Sequence, residues 1–214
     1  MPHELFKAIE QFREWAGAYA EQPEDDRGGE WECDYNQWPK IWQLFKDFIN
    51  DADPATWSDA TISGLLYIIA RDNDSGSLAG IAATNESVLT ILTERVIASG
   101  PPDAKWQLAV RMAGITDRQQ AEKLLVQLVQ DDNEYVSRRA LMSLAEIASD
   151  KTEHYCRIAW EKEVDEMQEY QRIAVLHALF RIQSGLLPHY LQLATKDGRK
   201  HLISNLRAIE AQLP

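Results

Sequence analysis

The chain has 214 residues, 45% of them hydrophobic, and a formal net charge of −12. That size suits one or two compact domains or a short repeat array, with enough apolar residues for a substantial core. The acid excess argues against nucleic-acid binding, which depends on neutralising phosphates, and favours basic proteins, whose encounter rate an acidic field raises.

Leu5, Ile9, Phe12, Ala16 and Tyr19 follow a 3.6-residue period and predict a first helix over residues 3–20. Glu21 to Gln37 carries Pro23, Gly28, Gly29 and seven acids without periodicity, which predicts a loop. Pro39 sits where a helix accepts proline, and Ile41, Trp42, Phe45, Phe48 and Ile49 form the stripe behind it. Asp53-Pro54 reads as the cap and first residue of the next helix, leading into Ile62, Leu65, Leu66 and Ile69. Asp72 to Gly76 is a turn by its chemistry.

Beyond this turn the helices come in pairs. Gly100-Pro101-Pro102 separates 86–98 from 103–114, and Asp131-Asp132-Asn133 separates 117–130 from 134–149. Residues 151–163 and 166–183 follow, then 187–195 and 198–212 about Asp197-Gly198. Each second helix carries an apolar triplet at i, i+3 and i+6: Ala109-Met112-Ile115, Leu141-Leu144-Ile147, Leu176-Leu179-Ile182 and Ile203-Leu206-Ile209. The copies lie 32, 35 and 27 residues apart, and short connections force antiparallel neighbours. No segment alternates with period two. The expected fold is all-α: a solenoid of stacked antiparallel hairpins over 85–214, preceded by an irregular, acidic, Trp-rich helical region over 1–84.

The segment AEKLLVQLVQDDNEYVSRRALMSLAEI, residues 121–147, resembles the HEAT repeat. Asp132 and Asn133 stand in its turn, Val136, Arg138 and Arg139 open its second helix, and Ala140 and Leu144 occupy the inward positions. The resemblance implies a binding scaffold with a concave surface lined by the second helices.

Chemistry-bearing residues do not converge in the sequence. His154 and Cys156 are two apart, so on a helix they point apart, and no HExxH or paired CxxC spacing occurs. Asp72-Asn73-Asp74-Ser75-Gly76 lacks the glycine placement and final glutamate of an EF-hand, and GxxxxGK and GxSxG are absent. These patterns predict no enzyme, no metal and no cofactor. HEAT-like solenoids include alkylpurine DNA glycosylases, and the charge of −12 argues against that activity too.

The apolar stretch around Ile62 to Ala70 is too short for a bilayer, so no membrane association is expected. The start MPHELFKAIEQF lacks the layout of an export signal, and Cys33 and Cys156 build no disulfide framework, which predicts a cytoplasmic protein with free thiols.

Residues 1–60 hold 14 acids and 5 bases, so three quarters of the net charge lies in the first quarter of the chain. Within it, Pro23 to Tyr35 surrounds aromatic residues with carboxylates, the composition of an interface anchor against Lys or Arg. The candidate partner-binding residues are Asp25, Asp26, Glu30, Trp31, Glu32, Asp34, Tyr35 and Trp38, with Asp51 and Asp53 as neighbours. The other reading of the segment is that Trp31 and Tyr35 staple it to the core while the acids stay solvated. A small, acidic, helical chain of this kind is similar in general character to the immunity proteins of bacterial toxin systems, which implies a basic toxin domain as partner. The alternative is a scaffold or assembly factor using Arg111, Arg138, Arg139, Arg172 and Arg181 on the concave face, unless these pair with turn aspartates of adjacent repeats.

Overall fold

Apolar side chains spaced three and four apart decide where this chain coils. The computed structural model describes residues 2–20, 31–51, 53–162 and 168–213, and among them it contains α-helices and short 3-10 turns but no strand. None of the described helices is long and apolar enough to cross a membrane. The chain forms two units, Met1–Thr116 and Asp117–Pro214.

The first unit contains α1 (Pro2–Ala20), α2 (Trp38–Asp51), α3 (Asp59–Arg71), α4 (Ser77–Ala82), α5 (Glu86–Ser99) and α6 (Pro102–Met112). The stripes expected on α1 and α2 are buried: Leu5, Ile9 and Phe12 on one helix, Ile41, Phe45 and Ile49 on the other. Each such side chain contributes roughly 1.5–3 kcal/mol of transfer free energy. On α3, Gly64 lies so close to Phe6 that an added Cβ would sit 3.0 Å from the ring, so a small residue is what lets α1 and α3 approach. Gln107 of α6 donates a buried 2.7 Å hydrogen bond to the Ile69 carbonyl, which ties α6 to the end of α3.

One boundary differs from the expectation. Asp53 and Pro54 begin a 3-10 turn, Pro54–Thr56, with the Asp53 carboxylate accepting from the Ala55 amide at 3.0 Å. Trp57 then returns to extended backbone and Ser58 caps α3, accepting from the Thr61 amide at 3.2 Å. Two capping residues five apart compete for the helix start, and the serine wins because Trp57 leaves helical geometry between them.

The second unit contains α7 (Arg118–Leu128), α8 (Glu134–Glu146), α9 (Thr152–Glu161), α10 (Gln168–Arg181), α11 (Leu187–Asp197) and α12 (Lys200–Glu210). Successive helices pack as pairs, and α10 lies against both α8 and α12. Their shared core holds Leu141, Val175, Leu176, Leu179, Leu202, Leu206 and Ile209. Asn133 caps α8 through its side chain, and Gly198, at φ +75°, closes α11 in the left-handed conformation that glycine adopts without steric cost.

The turns leaving α8 and α10 have the same construction 35 residues apart. Ala148 and Gln183 take φ of 53° and 54°, and the next amides, of Ser149 and Ser184, bond back to the Leu144 and Leu179 carbonyls at 3.0 and 2.9 Å. Each serine hydroxyl then donates to a glutamate of the preceding helix, Ser149 to Glu122 at 2.6 Å and Ser184 to Glu153. The first unit contains a relative of this latch: Thr116 gives its amide and hydroxyl to Glu86 of α5, at 2.8 and 2.6 Å.

Candidate partner-binding region at the N-terminal helices

Phe12, fully buried on α1, is the centre on which the N-terminal segment is assembled. Its ring meets Tyr35 edge-on at 5.1 Å between centroids and lies 5.0 Å from Trp38 and 5.7 Å from Trp15. Such aromatic pairs contribute about 0.5–1.5 kcal/mol beyond their area burial. Trp38 continues the stack to Trp42 at 6.4 Å.

Residues Trp31–Asp34 form a 3-10 turn seated on this cluster. Glu32 faces inwards, 4% exposed, a position a carboxylate tolerates only with partners. Its side chain receives Arg71 of α3 at 3.1 Å, and its carbonyl accepts the Trp38 indole N–H at 2.7 Å. Arg71 and Arg13 both lie over the Tyr67 ring, at 5.6 and 4.3 Å. Burial raises the phenol pKa of Tyr35 and of Tyr67, against the pull of the two arginines at Tyr67.

The ten expected site residues therefore separate. Asp25, Asp26 and Glu30 lie outside the described residues, and Trp31 is described in its backbone alone. Glu32, Tyr35 and Trp38 come together, buried, and hold the turn to α1 and α3. Asp34, Asp51 and Asp53 are exposed, Asp53 while capping its turn. Cys33 is exposed as well and borders a cleft of about 100 Å³ with Trp42, Arg71 and Asp72. Burial pushes the Asp72 carboxyl up, and the Ser75 hydroxyl and the Leu78 amide at 2.6 Å pull it back, an arrangement that fixes the start of α4.

The arginines of the alternative surface are engaged within the protein. Arg138 pairs with Glu134 at 2.7 Å, Arg181 with Glu146 at 3.3 Å, and Arg172 with Asp197, in the turn of the following hairpin. Arg139 donates to the Tyr135 hydroxyl, and Arg111 to the Gly76 carbonyl at 3.3 Å. Among the described residues no group of three or more His, Cys, Asp or Glu side chains is placed to hold a metal ion. Burial lifts the Cys156 thiol to about 12, so it stays protonated at neutral pH.

Sequence reasoning missed Arg71 and Phe12 as organisers, because their partners lie 39 and 23 residues away. It also missed the serine and threonine latches, although Ile115-Thr116, Ile147-Ala148-Ser149 and Ile182-Gln183-Ser184 follow the apolar triplets at near-regular spacing. No family model matches the chain, and no curated protein or solved structure is significantly similar to it. The class established is that of an all-helical protein.

Proposed function

We propose that this chain is a non-catalytic protein-binding module whose acidic N-terminal region takes a basic protein partner. Within that class, the particular reading is an immunity-type protein that neutralises a cationic toxin domain in the cytoplasm. The observation that supports it is the division of roles in residues 31–38: Glu32, Tyr35 and Trp38 are anchored inwards while Asp34 is exposed on the same turn. A carboxylate carried by an anchored turn loses little further entropy on binding, and the charge excess of residues 1–60 steers a basic partner to it. We further read the hairpins of Asp117–Pro214 as HEAT-like units of a solenoid, on the strength of the repeated Glu–Ser latch and the succession α8, α10, α12.

The test is charge reversal at acidic positions of the segment other than Glu32. The triple variant Asp25→Lys, Asp26→Lys, Asp34→Lys is expected to weaken partner binding by roughly tenfold or more and to flatten its salt dependence. Unaltered affinity at low salt would remove this segment as the interface. Glu32, although acidic, is excluded from the set because it pairs with Arg71 in the interior. A scaffold acting through the arginines has less support, since each is already committed to an internal partner.

A further inference from the structure

Asp197-Gly198, where α11 ends, is the only Asp-Gly pair in the chain, and no Asn-Gly pair occurs. Glycine has no Cβ to shield its amide nitrogen, so in such a pair the nitrogen closes readily on the carboxyl before it. The nitrogen, having lost its proton, bonds to the aspartate Cγ, and a side-chain oxygen leaves as water. A second water opens the resulting succinimide. Addition at the side-chain carbonyl restores aspartate, and addition at the main-chain carbonyl leaves isoaspartate, whose backbone runs through Cγ. One water is lost and one gained, so the product is an isomer and no oxidant or other reactant takes part.

The fold opposes each requirement of that ring closure. The Gly198 N–H donates to the Ala194 carbonyl at 3.1 Å, which keeps the nitrogen protonated and turned into the end of α11. Both carboxylate oxygens of Asp197 are engaged. Arg199 donates from Nε to Oδ1 and from Nη2 to Oδ2, each at 2.7 Å, and Arg172 reaches Oδ2 from α10. Arg172 is itself held, with its guanidinium 5.0 Å from the centre of the Trp160 ring. The Arg199 hydrogen bonds lead in bringing the carboxyl down to about 2, so it is ionised at neutral pH, and an ionised oxygen does not leave as water. The Asp197 side chain is only 7% exposed, which keeps the second water away as well.

We propose that Asp197-Gly198 is an isoaspartate-forming site that Arg172 and Arg199 hold closed. Isomerisation lengthens the main chain by one carbon between α11 and α12 and moves the carboxylate off the position that both arginines address. The packing of α12 on α10 then loses the ion pair that spans the two hairpins. The modification is confined to the second unit and does not depend on the function proposed above.

The experiment ages the full chain, its Arg199→Ala variant and the chain unfolded in guanidinium chloride at neutral pH and physiological temperature. After proteolytic digestion, isoaspartate is counted by methyl transfer with a protein isoaspartyl methyltransferase and placed by fragmentation in the mass spectrometer. The expected order of isoaspartate at position 197 is native lowest, Arg199→Ala several-fold higher with its far-UV dichroism retained, and the unfolded chain highest. Should Arg199→Ala fail to fold, Arg199→Gln, which keeps the stem and one donor without the charge, replaces it and should also exceed the native chain. An unchanged rate in a folded variant, or equal rates in the native and unfolded chains, would overturn the assignment.

Discussion

The two units each hold a buried carboxylate by an arginine pair, and the second adds serine contacts of another kind. In the first, Glu32 pairs with Arg71, and its backbone carbonyl accepts the Trp38 indole N–H. In the second, Asp197 pairs with Arg172 and Arg199, and Glu122 and Glu153 each accept a serine hydroxyl from the turn that follows the partner helix, Glu122 also pairing with Lys151 at 2.6 Å. The serine contacts recur 35 residues apart at turns of the same construction. In the N-terminal segment, aromatic packing around Phe12 and the Glu32–Arg71 pair fix a single turn.

This contrast can be broken at graded strengths. Phe12→Ala should have the largest effect, about 3–5 kcal/mol by chemical denaturation, with loss of the near-UV dichroism of the Trp15, Tyr35 and Trp38 cluster. Asp197 comes next. Arg199 at 2.7 Å, and then Arg172, bring its carboxyl down to about 2 from an ordinary 3.8. A lowered folded-state pKa gives stability that is present above the ordinary value and lost as pH falls through about 2. Asp197→Asn should therefore cost about 2 kcal/mol at pH 7, and the cost should disappear near pH 2. If the difference persisted at pH 2, the ion pairs would not be its source.

Smaller effects separate the latches from the aromatic cage. Ser149→Ala and Ser184→Ala should each cost about 1 kcal/mol and leave the near-UV signal of the N-terminal cluster unchanged. Ala148→Gly should stabilise by about 0.5–1 kcal/mol, because alanine there holds a left-handed φ of 53°. Cysteine labelling should move stability least and still discriminate. A thiol reagent is expected to modify the exposed Cys33 in the native state and to reach Cys156 only on unfolding, since its thiol is buried and lifted to about 12.

The helices and their partners by chain order were legible because periodicity and proline-glycine breaks are local signals. Ile41, Phe45 and Ile49 show their stripe without reference to anything distant. The six-residue α4 showed no pattern, being too short for a period and set by the Asp72 carboxylate beneath it. The start of α3 was misplaced because Asp53-Pro54 and Ser58 are both valid caps, and only the extended Trp57 decides between them. In the site, composition drew attention to residues 21–35, but it could not separate an inward glutamate from an outward aspartate two positions later. That distinction depends on Arg71, which arrives from α3. The aspartate-arginine contact, Asp197 with Arg172, was in contrast one of two readings open from the sequence, which offers turn aspartates as partners for these arginines.

Central to the proposed function is an acidic N-terminal region that grips a basic protein partner. The most direct measurement is affinity co-purification from the native host with the unmodified chain and with Asp25→Lys, Asp26→Lys, Asp34→Lys, followed by titration of the recovered protein against each at several salt concentrations. The expected partner has a high isoelectric point, is released by salt and is lost in the variant. An acidic or neutral partner, or a basic one held equally well by the variant, would contradict it.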